Sequence, residues 1–329
     1  MPGVPISMAI SNYDHVADLL NNRVRIEGVN LTPMELPIEE VFFRMFSFGE
    51  WDVSEFSMAK YVSLVGAGTQ PFRAIPVFPS RVFRQSALYV ASRGALGTPQ
   101  DLAGRRVGIP EWAQTAGVYA RAFLQHQCGV NLADIHWVQS GVNQAGRTEK
   151  VELSLPAGVK IETAHNRSLN EMLLAGDLDA IISAREPAAF LARDPRIARL
   201  WPDYRAIEED YYRQTGVFPI MHVIVIKNET LARHPWIAMN LFRAFEEAKA
   251  NSLRRLSSIV NSRIAIPWSH HAYDRAQEVL GDNFWPYGID ANRKTLDAFL
   301  QFCNEQGVTQ RRVTIEELFP AEVSKFFKV

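Results

Sequence analysis

The chain has 329 residues, of which 47% are hydrophobic and 22% are charged, and its formal net charge is -1. This length is sufficient for two domains of ordinary size. The near-neutral balance gives no electrostatic attraction to nucleic acid or to an anionic membrane, and no apolar stretch approaches the ~20 residues of a membrane span.

The cysteine content and the N-terminal sequence favour the cytoplasm as the cellular compartment. Cys128 and Cys303 are far apart and fit neither a disulfide framework nor a zinc-type spacing. Residues 1–20 contain no basic segment followed by a long apolar run, which a secretory signal would require. We therefore expect a cytoplasmic protein with neither nucleic acid nor membrane as a partner.

Strand-like and helix-like patterns alternate along the first hundred residues. Strands are predicted at Ile6–Ile10, Asn30–Leu36, Asp52–Phe56, Ile75–Phe78 and Ala87–Ala91, and helices at Tyr13–Leu20, Ile38–Phe48 and Met58–Gly66. This alternation predicts βαβ units and a mostly parallel sheet with right-handed crossovers.

A second α/β block follows, and the chain then crosses back. The predicted elements of this block are the strand Arg106–Ile109, a helix from Thr115, the loop Gly141–Lys160, the helix Ser168–Ala175 and the strand Ala180–Ser183. Met221–Ile226 is an apolar strand that is expected to return to the first domain. Helices are predicted at Pro235–Leu256, Ala272–Leu280 and Asn292–Gln306, with packing elements at Thr314–Phe319 and Val323–Phe327.

These patterns predict an α/β protein with two lobes, mixed and mostly parallel sheets, and a ligand cleft between the lobes. The first lobe is expected to comprise residues 1–103 and 223–329, and the second lobe residues 104–222. In such sheets the ligand lies beyond the carboxyl ends of the strands. Residues that directly follow predicted strands are therefore the candidates for a site.

The segment Gly104–Leu124 is the most informative of these, because it predicts a strand, a loop and a helix in succession. The N-terminus of the helix at Thr115 favours an anion such as a carboxylate. Trp112 in the loop could stack on a planar ring, or it could cover the core of its own domain. Glu111 precedes it and is a candidate acid.

Four arginines follow predicted strand ends or lie in the polar loop. Arg81 and Arg84 come after the strand at 75–78, and guanidinium groups bind carboxylates in a bidentate manner, so the pair suits a diacid. Arg185 follows the strand at 180–183, and Arg147 lies in the loop. The alternatives are solvated surface arginines at 81 and 84, and for Arg185 an interdomain ion pair with Glu186 or another acid.

His222 lies within the apolar strand that crosses back between the lobes. A lone histidine in such a strand is usually a core residue, but on the cleft face it could donate and recover a proton near neutral pH. The remaining histidines are scattered, and the adjacent His270 and His271 would diverge, so no metal site is predicted. Dinucleotide, P-loop and hydrolase-elbow motifs are not found in the sequence.

Several short motifs occur in a characteristic order along nearly the whole chain. They are Phe43-Arg44-Met45, residues 52–57, residues 74–81 with Phe83-Arg84, residues 101–111 with Thr115-Ala116, residues 219–222 and residues 285–288. In this order and spacing the chain resembles the 4,5-dihydroxyphthalate decarboxylase family, a branch of the type 2 periplasmic-binding-protein fold. It departs from the family pattern at Gln85, where a histidine usually follows the Phe-Arg pair.

The resemblance implies loss of one carboxylate from 4,5-dihydroxyphthalate, giving 3,4-dihydroxybenzoate, without an organic cofactor. His222 would be the proton donor, and Arg84 and Arg185 would bind carboxylates from opposite lobes. Glu55 or Glu111 could instead polarise the ring hydroxyls. Ser57 and Tyr287, in the shared motifs, are further expected substrate contacts, together with Arg81, Trp112, Thr115 and Arg147.

Three other function classes are weighed against this one. A solute-binding protein for a small aromatic carboxylate would share the fold and the pocket, and would need an export signal. Metal-assisted decarboxylation would need a ligand cluster, and a sensing module would need an attached signalling domain. The expected partner is a small aromatic carboxylate, with a homo-oligomer possible.

Overall fold

The computed structural model of the protein describes residues 3–92, 96–261 and 263–319. The strands are β1 (Val4–Ile10), β2 (Val29–Glu35), β3 (Val53–Ser57), β4 (Phe72–Ile75), β5 (Leu88–Ala91), β6 (Arg106–Ile109), β7 (His136–Gln139), β8 (Ile161–Thr163), β9 (Ala180–Ile182), β10 (Ile197–Arg199) and β11 (His222–Lys227). The helices are α1 (Ala17–Leu20), α2 (Ile38–Phe48), α3 (Met58–Ala67), α4 (Thr115–His126), α5 (Leu169–Ala175), α6 (Ala188–Leu191), α7 (Tyr204–Thr215), α8 (Asn228–Arg233), α9 (Ile237–Leu256), α10 (Ser269–Leu280), α11 (Arg293–Glu305) and α12 (Ile315–Leu318).

The strands form two mixed sheets, one in each lobe. The first sheet has the order β2-β1-β3-β11-β4, and the second has the order β10-β5-β9-β6-β7-β8. In the first sheet β1 pairs in parallel with β2 and β3, whereas β11 runs antiparallel to β3 and β4. This arrangement agrees with the two-lobed α/β architecture predicted from the sequence.

The chain enters the second lobe earlier than residue 103, the boundary predicted from the sequence. β5 pairs antiparallel with β9 and β10, so it belongs to the second sheet, and the crossing lies between β4 and β5. On the way back, Ile220 forms an isolated antiparallel bridge with Arg81, so the two crossing segments lie side by side.

Two early elements differ from their predicted bounds. The helix predicted from Tyr13 begins at Ala17, after a turn over residues 14–16. The strand predicted at 75–78 ends at Ile75, since Pro76 has no N–H to donate to a neighbouring strand. Residues 141–160, predicted as a loop, contain neither helix nor strand. The predicted element Val323–Phe327 lies outside the described residues.

The C-terminal helices connect the two lobes. α11 packs against α3 in the first lobe and against α4 in the second. Its buried face includes Leu296, Phe299 and Leu300, which follow the three- and four-residue spacing of an amphipathic helix. This packing positions the start of α4 opposite the end of β3, where the cleft lies.

Candidate active site

Three helices begin at the cleft between the two sheets. The helices α2, α3 and α4 follow β2, β3 and β6, and residues at or beside the start of each line one cavity of about 120 Å³, here called the inner cavity. Helix N-termini carry unpaired N–H groups and a partial positive charge, so this wall favours an anion. The inner cavity is lined by Ile38, Glu39, Phe42, Ser57, Lys60, Arg84, Glu111, Gln114, Thr115, Ala116, Arg147, Lys150, Ala184, Met221 and His222.

His222 is held in the wall of the inner cavity by a buried carboxylate. In the antiparallel register, His222 lies opposite Ser57 and Ile224 lies opposite Glu55, so His222 and Glu55 are diagonal neighbours on one face of the sheet. Nδ1 of His222 is 2.6 Å from Oε1 of Glu55, and Glu55 is fully buried. With Nδ1 engaged, Nε2 is the ring nitrogen left for a ligand.

Two further groups fix the orientation of Glu55. The Tyr13 hydroxyl donates to Oε1 at 2.6 Å, and the backbone N–H of Ser11 donates to Oε2 at 2.9 Å. Burial and the Glu55 charge raise the pKa of Tyr13 well above its usual value, so its hydroxyl remains a donor. Glu55 is thus behind His222 and does not line the inner cavity, which corrects its expected role at the ring hydroxyls.

Glu111 is the centre of a cationic cluster. Lys60 Nζ is 2.6 Å from Oε2, Arg147 Nε is 2.6 Å from Oε1, and Lys150 Nζ is 4.0 Å from Oε1. Burial raises the pKa of Glu111, but the charges of Lys60 and Arg147 outweigh burial, and the net result is a lowered pKa. Glu111 is therefore a carboxylate at neutral pH, and the structure does not support its expected role as a catalytic acid.

Arg84 presents a cation to the cleft without an acid beside it. It lines the inner cavity and also an adjoining space of about 480 Å³, here called the outer cavity. Its Nε donates to Sδ of Met221 at 3.1 Å, and among the described residues no carboxylate lies within ion-pair distance. Burial lowers the pKa of Arg84 to about 10, so the side chain is still protonated at neutral pH. An unpaired guanidinium of this kind is suited to a ligand carboxylate.

Thr115 and Ser57 join the two lobes at the floor of the cavity. Their hydroxyl oxygens are 3.0 Å apart, and Thr115 Oγ1 also accepts from the backbone N–H of Ala59 at 3.0 Å. Both residues line the inner cavity, but their hydroxyl groups are already engaged with each other.

Glu39 makes ion pairs across the mouth of the cleft. It is in the first turn of α2 in the first lobe, and it contacts Arg147 at 3.1 Å and Arg185 at 3.0 Å in the second lobe. Arg185 lines the outer cavity and not the inner one. The sequence had suggested a pair between Arg185 and a nearby acid; the acid is Glu39, because Glu186 pairs with Arg199 at 2.7 Å.

Three residues predicted to bind the ligand do not reach the inner or outer cavity. Trp112 is fully buried, donates its Nε1–H to the backbone oxygen of Gln306 at 2.7 Å and is covered by Arg121 at 3.8 Å. It is a core residue, because the loop turns its ring toward α11. Tyr287 is buried beneath Lys249, which lies 4.0 Å from the centre of its ring. Arg81 lines a different cavity, near the start of α11.

Sequence reasoning missed several residues of the site. Tyr13, Glu39, Lys60 and Lys150 were not predicted, and Tyr13 was assigned to a helix. Glu39 and Lys60 lie in the first turn of helices that follow β2 and β3, so extending the search by one helical turn beyond each strand would have found them. Lys150 is in an irregular loop, and no local pattern marks it.

Gln85 is buried and stabilises the arginine beside it. Its Oε1 accepts from the backbone N–H of Arg84 at 3.1 Å, and it does not line the inner cavity. Gln85, the residue at which the chain departs from the family pattern, therefore supports the backbone of Arg84.

The described residues contain neither a metal-binding cluster nor a helix that could span a membrane. Within residues 3–92, 96–261 and 263–319, no group of three or more His, Cys, Asp or Glu side chains is arranged to hold a metal ion. In the same part of the chain, no helix has the length and apolar character needed to cross a bilayer.

Curated proteins of similar sequence are decarboxylases. The chain is 36% identical over 328 residues to a 4,5-dihydroxyphthalate decarboxylase of Comamonas testosteroni, and the match covers 99% of both chains. It is 38% identical over 209 residues to a 4,5-dihydroxyphthalate decarboxylase of Pseudomonas putida, covering 63% of this chain and 81% of that protein. A scan against models of protein families finds no match.

Solved structures share the fold at low sequence identity. The periplasmic sulfonate-binding protein SsuA of Methylobacillus flagellatus superposes with a TM-score of 0.55 at 14% identity, covering 98% of this chain and 93% of that one. A mutant of DSZB in complex with biphenyl-2-sulfinic acid has a TM-score of 0.55 at 14% identity and covers 98% of both chains. At these identities the likeness establishes the two-lobed fold alone.

Proposed function

Because the chain belongs to the 4,5-dihydroxyphthalate decarboxylase family, we propose that it converts 4,5-dihydroxyphthalate to 3,4-dihydroxybenzoate and CO2 in the inner cavity. The observation that carries this proposal is the pairing of His222 with the buried Glu55 in the wall of a cavity that also contains the unpaired Arg84. This arrangement supplies a positioned proton donor and a carboxylate anchor in one place.

The charge of the inner cavity matches a dicarboxylate. Four cationic side chains line it, those of Lys60, Arg84, Arg147 and Lys150, against the two acids Glu39 and Glu111. The excess of positive charge is complementary to a dianion. Arg84 binds the carboxylate that is retained, since it is the cation without an acidic partner.

Phe42 supplies an apolar wall beside the imidazole. Its ring lies edge-on to the ring of His222, with 4.8 Å between the centroids, and it also lines the inner cavity. An aromatic substrate packs against this surface and is held with its ring near Nε2.

The reaction couples a proton transfer from His222 to cleavage of one carbon–carbon bond. Nε2–H of the protonated His222 transfers its proton to the ring carbon that bears the departing carboxylate, and the hydroxyl para to this carbon supplies electron density. The carbon–carbon bond then breaks, its electron pair restores the aromatic ring, and CO2 leaves. Glu55 stabilises the imidazolium before the transfer, and neutral His222 recovers its proton from water. The reaction is redox-neutral, so it requires no oxidant or reductant.

Incubation of the purified protein with 4,5-dihydroxyphthalate tests this proposal. We expect equal amounts of CO2 and 3,4-dihydroxybenzoate, and we expect His222→Gln to lower kcat by about 100-fold or more because the proton donor is lost. The control is His271→Gln, which changes an exposed histidine of α10 outside the cavity. Turnover by His222→Gln at the wild-type rate would show that the assignment of the donor is wrong.

A solute-binding role is the alternative outcome of the same experiment. It is favoured by the fold shared with a sulfonate-binding protein. Tight binding of 4,5-dihydroxyphthalate to the wild-type protein without any release of CO2 would support this role and contradict the decarboxylase proposal.

A further inference from the structure

A separate cavity lies on the crossing between the lobes. It has a volume of about 230 Å³, is here called the rear cavity, and shares no lining residue with the inner or outer cavity. It is formed where the end of α7 and the returning segment, at Gly216 and Phe218, meet the residues after α10 and the start of α11.

Arg81 places a guanidinium in the wall of the rear cavity. Its Nη2 donates to the backbone oxygen of Phe218 at 3.2 Å and to Oδ1 of Asn292 at 2.6 Å, and its Nη1 donates to the backbone oxygen of Pro286 at 3.3 Å. All three acceptor residues line the cavity, so the charged end of the side chain is there as well. Arg81 is only 4% exposed, and its Nε has no acceptor.

The charge of Arg81 lacks a counterion. Among the described residues no carboxylate lies within ion-pair distance of it, whereas the buried Lys60 and Lys249 are paired with Glu111 and Glu246. Burial lowers the pKa of Arg81 to about 10, so it remains protonated at neutral pH. A buried charge without a partner is costly, and a bound anion would remove that cost.

Arg121 is a second buried arginine, and its surroundings differ from those of Arg81. It too is buried without an acidic partner, and its Nη1 also lacks an acceptor. However, it covers the ring of Trp112 and lines none of the inner, outer and rear cavities, whereas Arg81 lines the rear cavity.

The rest of the rear cavity is suited to an aromatic ring. Phe284 and Leu280 give it apolar surface, whereas the ring of Phe218 is covered by the guanidinium of Arg81, 4.7 Å from its centre, and by the stacked ring of Phe83. None of the residues that line it is acidic. A cation beside aromatic and apolar side chains matches a small ring that carries one carboxylate.

We propose that the rear cavity is a second ligand site, which binds a single-ring aromatic carboxylate through Arg81 with the ring against Phe284 and Leu280. This site is independent of the reaction proposed for the inner cavity, because the two share no residue.

Equilibrium dialysis with labelled benzoate tests the site in four proteins. Asn283 is exposed on the wall of the rear cavity, and Asn283→Asp adds a negative charge there without a change in size. We expect it to weaken binding at the rear cavity by about tenfold or more. The matched control is Asn261→Asp, which makes the same change at an exposed asparagine elsewhere, and Arg84→Met removes the carboxylate anchor of the inner cavity.

The proposal predicts that wild type, Arg84→Met and Asn261→Asp all bind benzoate at the rear cavity, and that Asn283→Asp binds it there about tenfold more weakly or worse. Benzoate bound in equal amount by wild type and Asn283→Asp would overturn it. Displacement of benzoate by equimolar sulfate would overturn the aromatic class, since a compact anion would then suffice. Failure of turnover with 4,5-dihydroxyphthalate, together with loss of benzoate in Asn283→Asp, would reject the decarboxylase proposal and retain this site.

Discussion

His222 illustrates how one side chain acquires a role from its partner. A histidine in an apolar strand is usually part of the core, and the sequence alone could not exclude this for His222. The register of β11 against β3 brings it beside Glu55, and Tyr13 and Ser11 complete the hydrogen bonds of that carboxylate. The imidazole is thereby held with one nitrogen bonded and the other available to a ligand.

Glu55 is expected to act as a positioning residue. Glu55→Gln keeps the size and an acceptor oxygen but removes the charge that stabilises the imidazolium, so we predict that kcat falls roughly 100-fold while KM changes less than about threefold. Tyr13→Phe, which removes one hydroxyl donor to the same oxygen without a change in charge, should cause a smaller loss. Steady-state kinetics of the two variants measures this. A rise in KM with unchanged kcat would mean that Glu55 serves substrate binding.

At the scale of elements, the end of α11 is locked against the loop at 141–160. The backbone N–H of Ser154 donates to the oxygen of Gly307 at 2.8 Å, and Gly307 has a φ of +68°. A Cβ atom at this position would lie 1.8 Å from the oxygen of Ser154, which is backbone and cannot move aside by a rotamer change. This contact fixes the loop that carries Arg147 and Lys150 to the cleft.

Gly307→Ala should therefore destabilise the protein by more than the cost of placing alanine at a positive φ. We predict a loss of about 2–4 kcal/mol in the free energy of unfolding, since backbone strain and a steric clash are combined. Gly68→Ala is the matched control: it has a φ of +71° and no atom within 4 Å of its Cβ, so it should lose only about 1 kcal/mol. Denaturant unfolding measures both, and equal losses would show that the contact with Ser154 contributes nothing.

At the scale of the whole molecule, the two lobes are joined across the mouth of the cleft by Glu39. Its pairs with Arg147 and Arg185 are among partly exposed side chains, so each is weak. Weak pairs of this kind can shift an equilibrium between open and closed lobes without holding it entirely on one side.

Glu39→Gln should favour the open arrangement. We predict that the ratio of open to closed molecules rises about two- to fivefold, which small-angle X-ray scattering of the ligand-free protein would detect as a larger radius of gyration. The control is Glu40→Gln, whose carboxylate pairs with Arg44 within α2 and does not reach the second lobe. An unchanged scattering curve for Glu39→Gln would mean that the cross-lobe pairs do not influence closure.

The sequence by itself determined the alternation of strands and helices and the two-lobed architecture, because apolar periodicity and capping residues such as Ser168 and Gly176 are local signals. It also located Arg84 near the cleft, because this residue follows a predicted strand end, and His222, because the strand that carries it was expected to cross between the lobes.

Only the tertiary structure decided which of these side chains face the ligand. A position beyond a strand end does not reveal the direction of a side chain or its partner from a distant segment. Trp112 therefore lies in the core against α11, Glu111 is neutralised by Lys60 and Arg147, and Arg81 lines the rear cavity. These outcomes depend on contacts between residues far apart in the chain, which periodicity and local propensity do not encode.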